Sequence, residues 1–100
     1  MNEEMALVAT IRPQPAAGNI DETRRELLAL LPPTRPEAGC LRYELVETND
    51  EPPHWLMLER WSSRAAWQAH MESAHFRAFQ QSASALGLLV ELAIGSEIGR

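Results

Sequence analysis

Cys40-Leu41-Arg42-Tyr43-Glu44-Leu45-Val46-Glu47, then Asn49-Asp50-Glu51-Pro52-Pro53, then His54-Trp55-Leu56-Met57-Leu58-Glu59-Arg60-Trp61 is the stretch that decides the fold. The first run alternates apolar and polar residues, and the last carries large apolar groups on both faces. The segment between them has the Asn, Asp and Pro content of a hairpin-like connection. Two adjacent strands therefore occupy the middle of the chain. Upstream, Met5 to Ile11 is a short apolar run stopped by Arg12-Pro13-Gln14-Pro15, because prolines cannot donate to a ladder. Ala16-Ala17-Gly18 reads as loop. Asn19, with Glu22 three residues on, predicts a helix start carrying Ile20, Leu27, Leu28, Leu30 and Leu31 on one side, ended or kinked at Pro32-Pro33 with a further turn to about Arg35. Downstream, Ser62 or Ser63 caps a second helix that Ser73 restarts at a bend, and Gly87 closes it before a last strand, Leu88 to Ile94.

The order β-α-β-β-α-β predicts an α+β fold, ferredoxin-like: a four-stranded antiparallel sheet with two helices on one face. One hundred residues make a single domain, with a core from about residue 5 to 94. Strands one, three and four are apolar on both faces, whereas the helices cover only one, so a homodimer packed through its sheets is expected. Nine Lys+Arg against fourteen Asp+Glu give a net charge of −5, with the basic residues scattered, which argues against a nucleic-acid partner. The lone Cys40 cannot close an intramolecular disulfide, and no Cys/His spacing marks a zinc site. The acidic start and the lack of an apolar run near ~20 residues lead to the expectation of a cytoplasmic protein without a membrane partner.

Three segments resemble a known family: Ala9-Thr10-Ile11-Arg12-Pro13, Pro36-Glu37-Ala38-Gly39-Cys40-Leu41-Arg42-Tyr43, and Leu58-Glu59-Arg60-Trp61-Ser62-Ser63 running through His70 to Ser73-Ala74-His75-Phe76. The chain is similar over about Met5 to Ile94 to the antibiotic biosynthesis monooxygenase domain, which includes quinol monooxygenases and anthrone oxygenases. The resemblance implies a dimeric α/β barrel with an apolar pocket between sheet and helices, and oxidation of an electron-rich phenolic substrate by dioxygen. Haem-degrading relatives carry an axial histidine four residues after the aromatic that matches Phe76. Gln80 stands there, and no Asn lies between Met5 and Arg12, which disfavours haem. A binding domain for an apolar metabolite and an isomerase are the other readings of the same architecture.

His70 and His75 are the candidate catalytic residues. His70 falls near a helix end whose dipole favours the imidazolium, as a proton donor or anion clamp, or as a plain hydrogen bond to the bend. His75 falls two residues after the Ser73 cap, where the dipole disfavours a positive ring and leaves a nitrogen for a general base, or where a His-Phe pair staples the bend. Trp61, Tyr43, Phe76 and Phe79 are the candidate substrate-binding residues, Trp61 being equally at home in the core. Tyr43 and Arg42 point to opposite faces of their strand. Glu59 shares a face with Trp55, Met57 and Trp61, so it is a buried structural carboxylate or, on a pocket wall, another base with its pKa raised by desolvation. No dinucleotide, phosphate or metal-ligand motif is present, so no cofactor is expected and the electrons for oxygen come from the substrate.

Overall fold

β1 (Met5–Arg12), β2 (Cys40–Glu47), β3 (Trp55–Trp61) and β4 (Leu89–Gly95) form one antiparallel sheet of order β2-β3-β1-β4, in a computed structural model that describes residues 3–14 and 19–99. The loop expected at Ala16-Ala17-Gly18 lies outside the described residues. Four helices, α1 (Ile20–Leu28), α2 (Leu31–Thr34), α3 (Arg64–Met71) and α4 (Ala74–Leu86), complete the ferredoxin-like order. Among the described residues no helix is long and apolar enough to cross a membrane.

The sheet register explains which side chains are buried. Met5, Leu7, Ala9 and Ile11 of β1 lie opposite Trp61, Glu59, Met57 and Trp55 of β3, and all eight are buried beneath the helices. Because the strand period is two, Tyr43 falls on the same face as its partner Glu59, while Arg42 turns outward and is exposed. Both helix starts after β3 are capped as the serines predict. Ser63 Oγ accepts from the Ala66 N–H at 3.1 Å, and Ser73 Oγ accepts from the Phe76 N–H at 3.2 Å. Gly87 closes α4 in the left-handed region at φ 69°. Asn19 differs: its φ of −109° and ψ of 24° are not the extended geometry that aims a cap side chain at the first turn, and it makes no cap bond. The expected first helix is broken in two, since Pro32 and Pro33 sit in the first turn of α2, where a missing N–H costs nothing.

Coverage is uneven across the sheet. β4 is an edge strand, and Leu89, Val90, Leu92 and Ile94 are each about half exposed. By register Val90, Leu92 and Ile94 continue the buried face of Ile11, Ala9 and Leu7, yet the helices stop short of them.

Candidate active site

Between the sheet and the helices lies a cavity of about 380 Å³, within the range of small-molecule sites. Its walls are mostly apolar, including Leu7, Met57, Phe76 and Phe79, with Tyr43, Glu59, His70 and Gln80 as polar exceptions. The two exposed β4 residues Val90 and Leu92 form its outer rim.

His70 is the most constrained of these groups. It is 1% exposed, and its ring is held by Trp61 at 4.9 Å, Phe76 at 5.0 Å and the edge of Tyr43 at 5.4 Å between centroids. Its Nδ1 lies 2.7 Å from Glu37 Oε2. An ionised carboxylate only accepts, so Nδ1 donates and the neutral ring keeps its lone pair on Nε2. That Nε2 is buried with no hydrogen-bond partner among the described residues. Burial lowers the His70 pKa, with the Glu37 carboxylate opposing it. The helix-end expectation of an imidazolium is therefore corrected: burial disfavours the charged ring, and a helix end acts only weakly and over its last turn.

His75 sits differently. Its Nε2 donates to the same Glu37 Oε2 at 2.8 Å, so one carboxylate oxygen joins both histidines, but His75 is not on the cavity wall and its side chain is a quarter exposed. Trp61 is fully buried and likewise off the wall: its ring backs His70 and its N–H donates to Glu59 Oε1 at 2.9 Å. Tyr43, Phe76 and Phe79 line the cavity. Burial, with Glu59 second, raises the Tyr43 pKa, so its phenol stays protonated. Burial pushes the Glu59 carboxyl up to about 7, against the pull of the Trp61 hydrogen bond.

Glu37 was not among the residues singled out from sequence for chemistry. It lies 33 residues before His70 and 38 before His75, too far for any local spacing to reveal. What places it is a tight turn: the Glu37 N–H donates to Thr34 O at 2.9 Å, and its carbonyl accepts from the Cys40 N–H at 3.1 Å. Gly39, at φ +84°, lets the turn press on the start of α3, where a Cβ would come within 2.5 Å of Ala66 Cβ and 2.6 Å of Ser62 Oγ. A glycine two residues after an acid at a strand entry was the available signal. The ligand-type atoms of Glu37, His70 and His75 lie within 4.8 Å of one another, and here they satisfy one another by hydrogen bonds. The arrangement can take a proton from a group in the cavity and stabilise the resulting imidazolium.

A model of the antibiotic biosynthesis monooxygenase family matches residues 5–82. The Mycobacterium tuberculosis protein named "Putative monooxygenase Rv0793" is 36% identical over 76 residues, covering 76% of this chain and 72% of that one. The Bacillus subtilis protein named "Putative monooxygenase YcnE" is 37% identical over 59 residues, which is 59% of this chain and 62% of the relative, so the match spans less than two thirds of it. The crystal structure of PA3566 from Pseudomonas aeruginosa superposes with a TM-score of 0.88 at 34% identity, covering 99% of this chain and 98% of the other.

Proposed function

The chain belongs to the antibiotic biosynthesis monooxygenase family, and from that premise we propose that it oxidises an electron-rich phenolic or anthrone-like aromatic with dioxygen, without an added cofactor. The observation that supports this reading is His70 on the wall of an apolar cavity, its Nδ1 bonded to Glu37 behind it and its Nε2 buried and without a hydrogen-bond partner among the described residues. A neutral imidazole oriented by a carboxylate through its other nitrogen is the arrangement a general base needs. His70, deep in the fold, thus takes the role of base, and His75 acts on Glu37 from outside the cavity.

In the proposed reaction His70 Nε2 removes a proton from the substrate, and the delocalised anion passes one electron to dioxygen. The two radicals combine at a ring carbon, and the peroxide anion takes the proton back from the imidazolium. Loss of the hydrogen on that carbon as a proton, with cleavage of the O–O bond, leaves a carbonyl and releases water. The substrate loses two hydrogens and gains one oxygen, and it supplies all four electrons. The protein contributes orientation, exclusion of water and a carboxylate that stabilises the imidazolium.

The reading extends to a cytoplasmic homodimer. Val90, Leu92 and Ile94 on the helix side of the sheet and Leu89, Val8 and Val46 on its outer face are apolar and exposed, and a second copy would take them out of water. Since Val90 and Leu92 also line the cavity, a second copy over β4 would close the site.

The test is oxygen consumption against a panel of hydroquinones and anthrones, with buffer and the His70→Ala variant as controls. Uptake well above autoxidation that falls in the variant is expected. Equal uptake by the two proteins would overturn the role of His70, and ligand binding with no uptake would leave a binding domain.

A further inference from the structure

Glu59 is a buried carboxylate that the scheme above does not use. It is 8% exposed at the centre of β3 and lines the cavity. No arginine or histidine forms an ion pair with it among the described residues, and its one hydrogen bond comes from the Trp61 N–H to Oε1. The same indole bridges it to the base, for the Trp61 ring lies against His70 at 4.9 Å while its N–H reaches Glu59. Glu59 and His70 thus both touch Trp61 and both line the same apolar cavity. An uncompensated buried carboxyl is expensive unless it is neutral, and a neutral carboxylic acid is a hydrogen-bond donor.

We propose that Glu59 is a second catalytic residue, donating from its protonated carboxyl to a carbonyl oxygen of the ligand that is conjugated with the atom His70 deprotonates. As the proton leaves, charge flows through the ring to that oxygen, and a fixed donor stabilises it as the enolate forms. The ligand class this selects is an aromatic ketone whose carbonyl is conjugated with an acidic C–H. The inference rests on the reading of His70 as base only for the direction of charge flow.

The pH behaviour follows from the surroundings. The titratable groups that act on Glu59 are Tyr43 and Cys40 on β2 and Glu37 in the turn before it; His70 on α3 lines the same cavity, and β1 presents its register partner Leu7. Burial raises the pKa of Tyr43 and Cys40 and lowers that of His70, so these three stay neutral as the pH passes 7. With Glu59 titrating at about 7, the donor is present below that pH and lost above it.

The experiment compares equilibrium binding of xanthone with that of xanthene, a tricycle of similar size that has a methylene in place of the carbonyl, by quenching of tryptophan fluorescence. Neither probe needs turnover, so an absence of oxygen uptake would sink the oxygenase reading while leaving Glu59 as the donor to the ligand carbonyl to be tested by itself. At pH 6 the chain should prefer xanthone by about five- to tenfold, the worth of one neutral hydrogen bond away from water. The preference should fade by pH 8, persist across that range in Glu59→Gln, whose amide still donates, and vanish in Glu59→Leu. Circular dichroism verifies the fold of the Leu variant, the preference is read in each protein as the ratio of its two affinities, and Glu59→Met replaces Glu59→Leu if it does not fold. An equal preference in wild type and the apolar variant, or none in wild type at pH 6, would overturn the proposal.

Discussion

Replacing Glu37 with Gln keeps the shape of the turn and removes the charge. In the native protein the carboxylate accepts from His70 at 2.7 Å and from His75 at 2.8 Å, and all three side chains are largely shielded from water. A hydrogen bond to a charged group is worth about 1.5–3 kcal/mol and a neutral one about 0.5–1.5 kcal/mol, so the imidazolium formed at the transition state loses about 1–2 kcal/mol. That predicts a fall in kcat of about 5- to 30-fold at the plateau. The pH profile adds a directional check. Glu37 is what opposes burial at His70, so without its charge the His70 pKa drops further. A base must be neutral to act, hence the acidic limb of the rate profile shifts to lower pH while the plateau falls. Oxygen uptake gives the profile, and NMR titration of the His70 ring gives the pKa without turnover. A His70 pKa that rises in Glu37→Gln, or a kcat within a factor of two of wild type, would refute the reasoning.

Stability should report on Glu59 independently. Its folded pKa of about 7 lies above the ordinary 4.5, so the folded state holds a proton that the unfolded chain releases, and stability declines as pH rises from 4.5 through 7. At 1.36 kcal/mol per pH unit the loss is roughly 3 kcal/mol. His70, with its pKa lowered, acts in the opposite sense below about 6.5, so the difference between wild type and Glu59→Gln in urea unfolding at pH 5 and pH 8 isolates Glu59. Gly39→Ala should lower Tm by about 10 °C, since a Cβ at φ +84° meets Ala66 and Ser62, whereas Gly95→Ala, with nothing within 4 Å, should leave it nearly unchanged in a thermal melt. Leu92→Glu, on the half-exposed rim of β4, should shift sedimentation velocity from dimer to monomer, and a native chain that sediments as a monomer would end that reading.

Much of this architecture was legible from local chemistry. Ser63, Ser73 and Gly87 act through their immediate neighbours, and strand alternation alone put Glu59 with Trp55, Met57 and Trp61 and turned Tyr43 away from Arg42. Asn19 shows the limit of a local rule, because a cap needs a backbone angle as well as a residue type. For the candidate site, sequence supplied the names of His70, His75, Tyr43, Phe76 and Phe79 but not their arrangement. Trp61 is off the cavity wall because it stands between His70 and Glu59, a position that only the packing of α3 on β3 fixes.

The sequence by itself determined the order of strands and helical segments, the ends set by Ser63, Ser73 and Gly87, and the face on which each strand residue lies, since those depend on periodicity and on contacts a few residues apart. Tertiary structure alone decided that Glu37 meets His70 and His75 across more than thirty residues, and that burial makes His70 a neutral imidazole. Hydrogen bonding and desolvation depend on which groups the folded chain brings together and how far it shuts out water, and neither is written in the spacing of residues along the chain.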